Sequence, residues 1–283
     1  MLRANYHTHT NLCDGRDTPE EMAEMAFSRG LLHLGFSGHM DADIHMDWAE
    51  YVKRIRKLQD VYRGRMDILL GVELDTMYQG ADVSGAEYII GSTHFPDVEC
   101  YRGYPGRVGG RPVSVDASPE DMRFLADTYF GGDYYRLAAN YFETEAHVYD
   151  RLGCTFVGHF DLVCRYNDQE RFLDEEDRRY TVPALQAMEY LAGQGVPFEI
   201  NCGAVNRGRK KEFYPNTFLL KHLKEMGGRI LISSDAHDKE HICGAFDRAV
   251  EKAIECGFTH TLILEHDKSG RMRTRELALD TLQ

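Results

Sequence analysis

A chain of 283 residues is long enough for two ordinary domains or for one large α/β barrel. Its 43% hydrophobic and 28% charged residues describe a globular protein with a sizeable core. The net charge of −13, with no Lys/Arg-rich run, speaks against gripping a nucleic-acid backbone, though not against a small anionic substrate.

The first apolar run, LRANY (2–6), passes directly into NYHTHTNLCD. On a strand, residues two apart share a face, so His7 and His9 project side by side, with Asp14 close behind. TPEEMAEMAFSRG (18–30) predicts a helix, with Thr18 as N-cap, Pro19 at its first position and Gly30 at its stop. The strand LHLGFS (32–37) leads to His39, and the segment 48–64 repeats apolar residues at helical spacing. DILLGV (67–72) leads to Glu73 and EYIIGS (87–92) to His94. The stretch 95–120, rich in Gly, Pro and Arg, predicts an irregular loop at the rim of a site, long enough to act as a lid. Helices are expected over 118–130 and 133–152, then the strand TFVG (155–158) leads to His159 and, two residues on, Asp161. A helix over 178–193 precedes the strand 197–200, which leads to Asn201. A helix over 215–226 precedes the strand 229–233, which leads to Asp235 and His237. A helix over 244–256 and a strand over 260–264 end the series.

Alternation of this kind implies a parallel sheet with helical crossovers. Consecutive strands, from the first to 229–233, each deliver a polar residue at the C-terminal end. In an open sheet these would spread along an edge; in a barrel they converge on one mouth, so a barrel forming a single domain over 1–283 is expected. Taken singly, each residue has an ordinary reading, a histidine bonded to a carbonyl or an aspartate capping a helix. Together, His7, His9, Asp14, His39, Glu73, His94, His159, Asp235 and His237 would crowd carboxylates and imidazoles, which is costly unless cations bind. Their N/O character suits Zn, Mn or Fe, and at roughly three or four ligands per ion they imply two or three divalent ions. His33, His147, His222, His241, His260 and His266 fall outside this pattern, while His45 could face a substrate. No signal-like N-terminus and no run of about 18 apolar residues is present, so a cytoplasmic protein without a membrane segment is expected. The seven scattered cysteines, without a CxxC pair, read as free thiols.

The motifs HTHT, SGH, GVELD, GSTHF, GHFD and SSDAH, in this order and spanning essentially the whole chain, resemble those of the polymerase and histidinol phosphatase (PHP) family. FEINCGAVNRG followed by YPN is similar to its histidinol-phosphate phosphatase branch. The resemblance implies a distorted (β/α)7 TIM-like barrel holding a trinuclear metal centre. It would assign His7, His9, Glu73 and Asp235 to one ion, Glu73, His94 and His159 to a second, and Asp14, His39 and His237 to a third. The expected reaction is attack of metal-activated water on the phosphorus of a small phosphate monoester, L-histidinol phosphate in histidine biosynthesis. Arg165, Arg207 and Asn201 are the candidates for binding substrate. Glu73, His94 and Asp161 are the catalytic candidates, Asp161 either protonating the leaving alkoxide or orienting a ligand. Other phosphodiesterases or exonucleases of the same family are the alternative. A metal-dependent amidohydrolase also opens on HxH, but it bridges its metals with a strand-end lysine carbamate, and no lysine follows an early strand here.

Overall fold

The structure is a computed structural model and describes residues 1–41, 44, 46–77, 80, 82–97 and 113–282. The strands β1 (Ala4–Asn5), β2 (His33–Phe36), β3 (His39–Met40), β4 (Asp67–Asp75), β5 (Tyr88–Ser92), β6 (Phe156–Val157), β7 (Phe198–Asn201) and β8 (Ile230–Ser233) are all parallel. Their order is β1-β2-β4-β5-β6-β7-β8, with β3 continuing the path of β2 beside the end of β4. Beyond the strand ends, Thr8 bridges Ala236 in parallel register: His9 N donates to Ala236 O at 2.8 Å and Ala236 N to His7 O at 3.2 Å. That bridge joins the first stave to the last and closes the barrel.

The crossovers carry α1 (Pro19–Ser28), α2 (Trp48–Tyr62), α3 (Pro119–Phe130), α4 (Tyr134–Ala146), α5 (Val148–Leu152), α6 (Asn167–Glu170), α7 (Arg178–Gly193), α8 (Gly203–Asn206), α9 (Thr217–Glu225) and α10 (Phe246–Glu255). Thr18 and Glu21 form the reciprocal capping box expected at the start of α1. The predicted helix over 133–152 divides at His147, whose backbone (φ −101°, ψ 10°) leaves the helical region. Strands buried on both faces need apolar residues on both, and β4 shows it. Ile68, Leu70, Val72 and Leu74 pack with Ile55 and Leu58 of α2, whereas Leu69 packs with Tyr6 and Tyr88. Glu73 follows Leu69 and Gly71 on the inward register, and so it enters the barrel.

The run 260–264 is a strand, but not a stave. It belongs to β9 (His260–His266), which pairs antiparallel with β10 (Met272–Ala278). β9 lies against the barrel end opposite the strand C-termini: Tyr6 Oη donates to Leu264 O at 2.8 Å, and His266 pairs with Asp67 and Glu87 near the starts of β4 and β5. Inside, the Tyr88 hydroxyl donates to the carbonyls of Tyr6 (2.6 Å) and Phe36 (3.0 Å). The ring lies so close over Gly71 that a Cβ there would sit 2.1 Å from Tyr88 Cζ. Among the described residues, no helix is long and apolar enough to cross a membrane.

Since the Tyr88 ring is tethered at both carbonyls, it cannot retreat. Gly71→Ala is expected to destabilise the fold by about 1–3 kcal/mol in urea denaturation, through overpacking; an unchanged midpoint would contradict the packing described.

Candidate metal centre

Glu73 is fully buried at the mouth, and five imidazoles approach its two oxygens. Oε2 faces His7 Nε2 at 3.0 Å, His39 Nδ1 at 3.2 Å and His9 Nε2 at 3.4 Å. Oε1 faces His159 Nε2 at 2.9 Å and His94 Nε2 at 3.6 Å, and accepts from Ser92 Oγ at 2.6 Å. A carboxylate whose oxygens face separate sets of imidazoles has the geometry of a bridge between cations.

The alternation inferred for the first strand places the His7 and His9 rings 5.1 Å apart. On the far side of the closing bridge, Asp235 turns into the mouth from a left-handed backbone (φ 49°), a conformation aspartate tolerates better than most residues. Its Oδ1 lies 3.6 Å from His7 Nε2 and 3.4 Å from His9 Nε2. Asp14 completes the outer side, 3.2 Å from His9 Nδ1, 3.0 Å from His237 Nε2 and 3.8 Å from His39 Nε2. Donor atoms within 4.8 Å of one another thus form four overlapping groups: His7, His9, Asp235; His7, Glu73, His159; His39, Glu73, His94; and His9, Asp14, His39, His237. All nine candidate ligands converge, with His39 between the central and outer groups rather than only in the outer one.

Electrostatics define what this cluster needs. Burial opposes charge on His7, yet Glu199, Glu73 and Asp235 overcome it and raise its pKa well above the usual value. His9 is raised likewise, burial being outweighed by Asp14 and Asp235. His94 is pushed up to about 10, with Asp75 and Glu73 outweighing burial. Burial would also raise the Glu73 carboxyl, but His39 and His7 hold it well below the carboxylate range. His39 goes the other way, its pKa lowered chiefly by burial. His9 Nε2 and His39 Nδ1 are buried and make no hydrogen bond. These orphaned nitrogens beside carboxylates fit divalent ions, which would replace protons as the countercharge.

Outer partners orient the donors. Glu199 is fully buried; its Oε1 lies 2.8 Å from His7 Nδ1, and its Oε2 accepts from His159 N at 3.0 Å and Asn201 Nδ2 at 2.9 Å. Asp75 Oδ2 accepts from His94 N at 2.6 Å and lies 3.2 Å from its Nδ1. A ring nitrogen engaged by a carboxylate leaves the opposite nitrogen free for a cation. Sequence reasoning missed both acids as partners. The available signal was an acidic residue on the inward register of a buried strand: Glu199 two before Asn201, Asp75 two after Glu73.

Above the donors opens a cleft of about 390 Å³, lined by Arg16, Arg165, Arg207 and Arg209 among others. Arg207 Nη1 donates to Asp235 O at 2.7 Å, and Nη2 lies 3.4 Å from Asp235 Oδ2. Gly203 permits this approach, since a Cβ there would meet Asp235 Oδ2 at 2.7 Å and Arg207 Nη2 at 2.8 Å. Arg165 Nη1 donates to Asp116 Oδ2 at 3.2 Å. Arg209, which shares the cleft with Arg165 and Arg207, has its pKa lowered first by burial and then by those two cations. Such a group is completed by an anion.

The structure places two of the sequence candidates away from the cleft. Asp161 does not line the cleft: it is fully buried behind it, accepting from Tyr180 Oη at 3.4 Å and Asn216 N at 3.2 Å. The i+2 rule fails there because β6 ends at Val157 and the chain turns into a 3-10 helix at Leu162–Cys164. Burial raises the Asp161 carboxyl to about 7. Asn201 is also fully buried off the cleft, its amide engaged by Glu199 and by Gly203 N, which donates to Oδ1 at 2.8 Å. Of the loop 95–120, residues 98–112 lie outside the described residues, as does His45; the returning limb contributes Asp116 and Ala117 to the cleft. None of His33, His147, His222, His241, His260 and His266 belongs to the donor groups.

A parallel barrel with an N/O donor cluster at the C-terminal mouth defines the class as metallohydrolase-like. Residues 5–202 match the PHP domain, and the chain belongs to this family. A probable histidinol-phosphatase of Deinococcus radiodurans is 30% identical over 93% of this chain and 96% of its own. A probable histidinol-phosphatase of Schizosaccharomyces pombe is 24% identical over 89% and 85% respectively. The crystal structure of histidinol phosphate phosphatase from Lactococcus lactis, complexed with Zn, L-histidinol and phosphate, shares the fold: TM-score 0.69 at 20% identity, covering 96% of this chain and 100% of that one.

Glu199→Gln, which removes the charge behind His7, is expected to weaken metal binding about 10- to 100-fold with little change in the fold, measured by competition with a chelator; unchanged affinity would dismiss the support role. Raised pKa values favour the protonated forms of His7, His9 and His94 when no metal is bound, and a nitrogen must lose its proton to ligate. Loading should therefore release protons and tighten as pH rises from 6 to 8. Calorimetry in buffers of different ionisation enthalpy measures this, and a buffer-independent heat would contradict it.

Proposed function

We propose that this protein is a metal-dependent phosphomonoesterase that hydrolyses L-histidinol phosphate to L-histidinol and phosphate. One observation carries the reading: a buried carboxylate, Glu73, stands among five imidazoles in a cleft that four arginines also line. The 30% identical relative, matched over nearly its whole length, supports the choice of ester.

His7, His9, Glu73 and Asp235 would hold one ion, Glu73, His94 and His159 a second, and Asp14, His39 and His237 a third, with His9 facing both the first and the third. When bound, such ions supply an acidified water that is nucleophilic at neutral pH and Lewis-acid neutralisation of phosphoryl charge. Arg165 and Arg207 present planar forks that suit phosphoryl oxygens bidentately, and Arg16 and Arg209 add positive charge at the same opening. Asp116 fixes the Arg165 fork, and the Asp235 carbonyl fixes that of Arg207, so both are pre-oriented before substrate enters. Glu199 and Asp75 keep His7 and His94 in the tautomers that ligation needs. A cleft of about 390 Å³ suits a small ester better than a polynucleotide. The thiols of Cys13, Cys154, Cys164, Cys202, Cys243 and Cys256 are free, which suits action in the cytoplasm.

The test is phosphate release from a panel of esters by metal-analysed protein, with a chelated control. L-histidinol phosphate should give the highest kcat/KM, chelation should abolish turnover, and metal should restore it. Arg207→Met is expected to raise KM about 10- to 100-fold. No preference for L-histidinol phosphate over aryl phosphates would remove the specific substrate, and turnover in metal-free protein would remove the mechanism.

A further inference from the structure

Behind the arginines lies a buried polar layer that the proposed chemistry does not use. At its centre is Lys210, whose side chain is 1% exposed. Its ammonium donates to the carbonyl of Cys164 at 3.0 Å, lies 3.8 Å from Glu175 Oε1, and stands 5.2 Å from the centre of the Tyr214 ring. Glu175 is held in turn by Asn167 Nδ2 at 2.9 Å and Asn216 Nδ2 at 2.8 Å. A lysine this deeply buried is uncommon; burial opposes its charge, but Glu175 and the buried Asp161 are among the groups that outweigh burial and hold its pKa above the usual value.

What the ammonium connects is the informative part. Cys164 immediately precedes Arg165, which the turn after β6 brings to the cleft. Lys210 immediately follows Arg209 and stands three residues after Arg207, both brought to the cleft by the turn after α8. Arg165 on one side and Arg207 and Arg209 on the other therefore come from two segments far apart in the chain. Their like charges set up a repulsion between these segments, which Asp116 beside Arg165 and Asp235 beside Arg207 reduce. The bond from Lys210 Nζ to Cys164 O spans the two segments and opposes that repulsion from below. Lys211 N, donating to Asp168 Oδ2 at 2.9 Å, adds a tie on the outer side.

We infer that Lys210 is a positioning residue: its buried ammonium, bonded to the Cys164 carbonyl, holds Arg165 at the spacing from Arg207 and Arg209 that a phosphoryl group needs. The inference rests on reading the arginines as the phosphate site. It assigns Lys210 an effect on phosphate affinity rather than on the metal centre or on the chemical step.

Lys210→Met tests it. KM for L-histidinol phosphate and the inhibition constant of inorganic phosphate should both rise about tenfold or more, because small misplacements at a distance are felt at the site. The kcat should move less than about threefold, and bound metal should match the wild type. Removing the ammonium leaves Glu175 buried without it, so Lys210→Met can fold poorly. The double variant Lys210→Met/Glu175→Gln removes both charges and should show the same rise. A lower Tm with KM and the phosphate constant unchanged, in either variant, overturns the inference, as does a double variant that cannot fold. Calorimetry with inorganic phosphate on the wild type separates the two readings. Phosphate bound equally well with and without Lys210 sinks the positioning role alone. A wild type that neither binds phosphate nor cleaves the ester sinks the phosphatase reading with it.

Discussion

A buried carboxylate surrounded by imidazoles is the constraint around which this molecule is organised. Glu73 is fully desolvated, and the five histidines that face it are themselves buried or nearly so. In water such groups would be solvated separately; gathered in a low-dielectric mouth, they require a shared countercharge. Protons can supply it, which is why His7, His9 and His94 are driven toward the charged form. Divalent cations supply it better, because one ion satisfies several donors and draws carboxylate and imidazole together.

The barrel makes that gathering possible. Its strand C-termini converge, and the Thr8–Ala236 bridge locks the first and last staves so that His7, His9, Asp235 and His237 meet. The opposite end is sealed by Tyr6, Tyr88 and β9, which gives the mouth a rigid floor. Each donor then needs only a short outer support. Glu199 shows the economy of this arrangement, touching His7, His159 and Asn201 at once from β7. Positive charge is layered above negative: donors below, arginines at the opening. With cations held by the donors, both layers would attract a ligand's anionic oxygens.

Much of the site was legible because strand geometry is local. Two-residue alternation places His7 beside His9 whatever the rest of the chain does, and a polar residue ending an apolar run, such as Glu73 or His159, stands at a strand terminus. Asp161 shows where that reasoning stops: β6 is only Phe156–Val157, and the turn beyond it rotates the carboxylate into the core. Asn201 shows a different failure. It is at the strand end as expected, but an acid two residues earlier claims its amide. Glu199 and Asp75 carried a signal, a charge on the buried register of a strand, that is as specific as the one that marked Glu73. The strand 260–264 looked like its predecessors in composition and, with Glu265 and His266 right after it, even in its polar end; only its antiparallel pairing with β10 sets it outside the barrel.

Sequence alone determined most of the succession of strands and helices, though not β10 or the break at His147, and picked out nitrogen and oxygen side chains that the fold gathers, because hydrophobic period, capping residues and side-chain alternation act over a few neighbouring positions. Tertiary structure decided the rest: the closing bridge, which oxygen of Glu73 faces which imidazoles, and the meeting of Arg165 with Arg207 and Arg209 over Lys210. These depend on strand register and on the burial of charges from distant segments, and no local pattern encodes the energy of bringing such charges together.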